Sequence, residues 1–125
     1  MLNVARIAIL IALALNLKRA LAIPLPPESD HEWMALLICM TLGLLEAAAF
    51  VALGSRSRGT TRFVYALGGL GLAAALTHTP MLVHMIRDKE PYGFFAMAMA
   101  EGAALGVAGI LKWWHEHRSA ALHAA

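Results

Sequence analysis

The stretch Trp33–Gly54, WMALLICMTLGLLEAAAFVALG, decides the fold. Thr41 and Glu46 are its only strongly polar residues. It is long enough to cross a bilayer, because a helix needs about 20 mostly apolar residues, at 1.5 Å rise each, to span ~30 Å of hydrocarbon. Phe63–Ile86 and Tyr92–Trp114 have the same character. None of the three alternates as a half-buried strand does, and their leucine and alanine content suits helices, so a β-barrel is set aside. The chain of 125 residues is 60% hydrophobic and 14% charged, too apolar for a single soluble core to hide. The expected fold is therefore an all-α integral membrane protein. It is a small helical bundle of three transmembrane helices near 33–54, 63–86 and 92–114, plus an N-terminal apolar helix or signal peptide.

Residues 1–23 admit two readings. A short basic start, the apolar stretch Ile7–Leu17 and the small-x-small sequence Ala20-Leu21-Ala22 together have the layout of a signal peptide cleaved after Ala22. Alternatively, the segment is a first transmembrane helix whose Lys18 and Arg19 reach the far interface on their long stems. The basic pair so near the cleavage site favours the helix. Residues 24–125 then form one polytopic membrane domain, beginning with Pro24, Pro26 and Pro27, which end any preceding helix. Glu28, Ser29 and Asp30 offer a polar, acidic cap for the next helix, and Trp33 anchors its interface.

Charge sets the expected orientation. The loop 55–62 holds Arg56, Arg58 and Arg62 without an acid, whereas Arg87-Asp88-Lys89-Glu90 cancels to zero. The arginine loop is the cytoplasmic one by the positive-inside bias, which places the C-terminus in the cytoplasm as well, in a bacterial inner (plasma) membrane. The formal net charge of +2 is modest and sits in loops and tail, so nucleic acid is not an expected partner. Cys39 is the single cysteine, which excludes an intramolecular disulfide and any cysteine-pair redox or metal motif.

Ionisable groups inside the runs are the only pointers to chemistry. Glu46 lies ~18 Å from Met34, Glu101 ~13 Å from Tyr92 and His78 ~12 Å from Ile86, counted at 1.5 Å per residue. All three fall in one layer if their helices turn them toward one another. As a proton or cation pathway, an imidazole there would share a proton with either carboxyl. As interhelical polar contacts, the same residues would merely join helices. A second grouping, His78, Met81, His84 and Met85, puts imidazole and thioether ligands on one helix, a set that suits copper. Methionine is equally a common filler of apolar helices, and no cofactor is fixed by the sequence. Pro80 removes a hydrogen bond to the carbonyl of Leu76, with Thr77 and Thr79 nearby as substitutes.

Gly68, Gly69 and Gly71, with Gly102 and Gly106, permit close helix packing. Glu46–Gly54 can also be laid over Glu101–Gly109, each a glutamate followed by small residues. His115-Glu116-His117 reads as a solvated tail. No nucleophile, base and acid set and no phosphate-binding loop is present, so no enzyme is expected. The reading that follows is a non-catalytic structural or accessory subunit in contact with the lipid bilayer and with other membrane subunits or copies of itself. The alternative is a small transporter or channel for protons or cations, copper among them.

Overall fold

The computed structural model describes residues 2–124 and contains four helices: α1 (Leu2–Leu21), α2 (Asp30–Ala52), α3 (Arg58–Arg87) and α4 (Gly93–Ala124). Around the bundle α1 packs on α2 and α4, and α3 packs on α4 and, least extensively, on α2. The α1–α3 and α2–α4 pairs are thus the diagonals. Leu2, Ser55, Arg58 and His115 line one depression, which puts the start of α1, the end of α2, the start of α3 and the later part of α4 at the same end. The helices therefore alternate in direction, as short connections between neighbours require.

Local chemistry sets the helix ends. Ser29 caps α2, its hydroxyl accepting from the Glu32 amide at 3.2 Å, while the Glu32 carboxylate accepts from the Glu28 amide at 2.7 Å. These bonds satisfy donors that the first helical turn cannot. At the end of α3, Lys89 takes a left-handed φ of 56° while the Lys89 and Glu90 amides donate to the Ile86 and Met85 carbonyls. α3 runs through Pro80 without interruption. The Thr77 and Thr79 hydroxyls do not replace the bond lost at Leu76. They donate instead to the carbonyls of Ala73 and Ala75, at 2.6 and 2.9 Å. α4 continues well beyond Trp114, so residues 115–117 are helical rather than a loose tail.

Each helix turns a stripe of small or apolar residues inward. On α1 the buried positions are Ala5, Ala8, Ile9, Ala12, Asn16 and Arg19, and on α2 they include Cys39, Glu46 and Ala49, spacings of three, four and seven that keep one helical face inward. Ala5, Ile9, Leu53, Val64, Leu105 and Ala108 belong to one apolar core. The exterior is equally apolar: Leu37, Leu44 and Val51 on α2, Leu70 and Leu76 on α3, and Val107 on α4 are all exposed. Asp30–Ala52, Arg58–Arg87 and Gly93–Arg118 are long and apolar enough to cross a membrane. A water-facing surface of this kind would be unstable, whereas hydrocarbon covers it at no cost, and the fold is that of a helical membrane protein.

Glycines fasten α3 to α4. A Cβ at Gly71 would lie 2.7 Å from the Gly102 carbonyl oxygen, and one at Gly68 would lie 2.9 Å from that of Leu105, so the two backbones touch where side chains would otherwise hold them apart. Gly106 meets the Leu72 side chain, whereas Gly69 faces open space and takes no part in the contact. Gly71→Ala is therefore expected to destabilise the bundle by about 1–3 kcal/mol through overpacking. Gly69→Ala should be neutral or stabilising by up to ~1 kcal/mol through helix propensity. Unfolding of the two variants in detergent micelles checks both.

Candidate functional site: a buried charge layer

The inward stripe of α1 ends in two polar residues, and these organise the site. Asn16 and Arg19 are 6% and 5% exposed, yet neither is unpaired. The Arg19 guanidinium forms an ion pair with the Glu101 carboxylate on α4 and donates to the Asn16 side-chain oxygen at 3.2 Å. Asn16 in turn donates through Nδ2 to the Cys39 carbonyl on α2 at 2.7 Å. One continuous chain of bonds thus ties α1 to both of its neighbours. Gly43 makes room for it, because a Cβ there would sit 2.9 Å from Asn16 Nδ2. The face of the Phe94 ring lies 5.4 Å from the guanidinium carbon and shields its other side.

Glu46 completes the layer from the diagonal helix. It is fully buried, and its carboxyl lies beside that of Glu101. Among the described residues, no donor side chain or amide reaches either Glu46 oxygen, nor Oε1 of Glu101. Two carboxyls and one guanidinium, enclosed in protein, are the chemically distinctive feature of the chain.

A second polar cluster closes the opposite end. Lys112 is 2% exposed, and its ammonium donates to the carbonyls of Leu53 and Ser55 at 2.8 and 3.3 Å while pairing with Glu116 at 2.9 Å. Leu53 and Ser55 follow the last turn of α2, where unpaired carbonyls carry partial negative charge and a cation is favoured. Glu116 also accepts from the Tyr65 and Thr61 hydroxyls of α3. Glu116 is thus a joint between α3 and α4 and not part of a free tail.

Of the residues singled out in the sequence, Glu46 and Glu101 come together, and His78 does not join them. His78 is exposed on α3, its Nδ1 against the Ala74 carbonyl at 2.7 Å and its ring edge-on to Phe95 at 5.5 Å. His84 pairs with Asp88 at 3.0 Å, Met81 is exposed and Met85 half-buried. No group of three or more His, Cys, Asp or Glu side chains with metal-binding proximity occurs among the described residues. Arg19, Asn16 and Lys112 are the site residues that sequence reasoning missed. Lys18 does point outward, but Arg19 turns into the bundle instead of reaching for an interface. No protein-family model matches the chain, and no curated protein or solved structure does.

Removing one member of a buried ion pair strands the other, at about 3–5 kcal/mol, whereas replacing both by apolar groups is often neutral. Arg19→Met alone is accordingly expected to destabilise the bundle on that scale. The double variant Arg19→Met/Glu101→Met should recover most of the loss in a double-mutant cycle followed by unfolding in micelles.

Proposed function

We propose that the chain is a non-catalytic accessory subunit of a larger membrane complex or of a homo-oligomer. It sits in a bacterial plasma membrane with the arginine loop and the C-terminus on the cytoplasmic side. The observation that carries this reading is the unfinished packing face of α3. Its buried stripe, Val64, Leu67, Gly68 and Ala75, continues at helical spacing through His78, Leu82 and Met85, yet His78 is exposed and Leu82 and Met85 are only half-buried. The α2–α3 contact is the least extensive of the adjacent pairs. A histidine some 12 Å into a span, counted at 1.5 Å per residue, is costly against lipid and ordinarily faces protein. A transmembrane helix of another subunit, or of a second copy, would cover it and offer its imidazole a partner. The same surface accounts for His78 and Met85 as contact residues rather than as part of a copper path.

The buried polar side chains support the non-catalytic part of the reading, because Asn16, Arg19, Glu101 and Lys112 are all engaged in joining helices. α1 is retained in the same reading. Cleavage after Ala22 would remove Arg19 and leave Glu101 buried without its counter-charge. Intact-mass measurement of the purified protein is expected to find residues 1–22 still attached.

Size measurement in mild detergent tests the assembly directly. The wild-type chain is expected to run as an oligomer or with bound partner subunits, and His78→Leu to shift it toward smaller species. A wild-type chain that purifies as a lone monomer with nothing bound overturns the reading.

A further inference from the structure

Charge in the buried layer does not balance if both acids are ionised. Arg19 supplies one positive charge, while Glu46 and Glu101 would supply two negative ones. Cys39, on the same helix as Glu46, adds no positive charge, and among the described residues no titratable side chain of α3 acts on Glu46. An uncompensated charge in such a place is strongly disfavoured, so one more positive charge belongs to the layer. Its nature follows from the oxygens left over. They number three, Oε1 and Oε2 of Glu46 and Oε1 of Glu101. A hard metal ion such as Ca²⁺ or Mg²⁺ takes six or more oxygens, counting water, whereas a proton needs only the oxygen that carries it and one acceptor. A hydroxyl on Glu46 directed at Oε1 of Glu101 meets that need, in the arrangement by which two facing carboxyls commonly share a proton.

We propose that Glu46 and Glu101 form a proton-binding site in the centre of the bundle, with one exchangeable proton held between their carboxyls and the remaining charge neutralised by Arg19. Uptake converts one carboxylate and a hydronium ion into a carboxylic acid and a water molecule. The layer is then neutral, with Arg19, Glu101 and Glu46 in one hydrogen-bonded line. Glu101, which faces the guanidinium, keeps the charge, and Glu46 carries the proton. The site stands on these contacts alone and is independent of whether the chain assembles with partners.

Infrared spectroscopy of the full chain in phosphatidylcholine vesicles at neutral pH tests it, because a protonated carboxyl has a C=O stretch distinct from that of a carboxylate. The wild-type chain should show one buried acid, whose band shifts when the sample is moved to deuterated buffer. Glu46→Gln should abolish it. Glu101→Gln should abolish it too, since the single carboxyl then left is ionised against Arg19. Arg19→Met should give two acids in place of one. A wild-type spectrum with no acid band, or with a band removed by adding Na⁺ at constant pH, overturns the proposal in favour of a metal cation. A band that survives both glutamine substitutions overturns it as well. The wild-type measurement stands even where a variant does not fold.

Discussion

The ion pair between Arg19 and Glu101 is the constraint on which the arrangement of the helices depends. An apolar helix in hydrocarbon has little to fix its depth, since sliding by a turn exchanges one set of aliphatic contacts for another. A charge pair has no such freedom. Moving α1 by one turn, about 5.4 Å, would separate the guanidinium from its carboxylate and strand both. The depth of α1 is therefore set by Arg19, and its rotation by the same side chain, because Ala5, Ala8, Ala12 and Asn16 share its face. Asn16 then carries the register to α2 through the Cys39 carbonyl.

α4 is the hub of this scheme, and it uses two faces. Glu101, Leu105, Ala108 and Lys112 look into the bundle, while Gly102, Gly106 and Gly109 lie against α3. The first face holds polar groups near both of its ends, so α4 is pinned in depth to α1 at Glu101 and to the end of α2 at Lys112. The second lets the α3 backbone approach at van der Waals distance, which maximises dispersion contacts where no hydrophobic effect operates between helices. Polar pairs thus specify register and small residues specify distance. α3 receives mostly the second kind of contact, and beyond Ala75 it loses its cover. That is why His78 is left exposed.

Much of this was legible in the sequence, and the part that was not has a definite cause. Length and hydropathy announce a helical membrane bundle, and counting residues from the span ends puts Glu46 and Glu101 at depths from which they can meet. The same count fails for His78, because depth says nothing about whether a neighbour covers the position. Gly69 fails for a related reason: three glycines in four positions cannot all face one helix, and the sequence does not say which are turned away. Arg19 was hidden by its company. A basic pair at the end of a short apolar segment looks like an interfacial anchor, and Lys18 is one. Yet the spacing Ala5, Ala8, Ala12, Asn16, Arg19 runs along a single face, and a small-residue stripe that ends in an amide and a guanidinium marks a surface meant to meet an acid. Lys112 carries a similar signal, lying eleven residues, three helical turns, beyond Glu101 on its own helix face.

α2 and α4 run in the same direction on the diagonal of the bundle, and each turns one glutamate toward the other from a helix rich in small residues. Taken by themselves the two acids are near-equivalents, and symmetry would have them share whatever charge the site tolerates. Arg19 breaks that equivalence. It reaches Glu101 from the adjacent α1 and pairs with that carboxyl directly, so Glu101 holds the anion and, while it does, Glu46 is the one that takes the proton. Two identical side chains at similar depth are thereby assigned different protonation states by a single neighbour. The difference lies in how far each stands from one guanidinium rather than in the local sequence around either glutamate, which is why the resemblance between the segments starting at Glu46 and Glu101 conceals it.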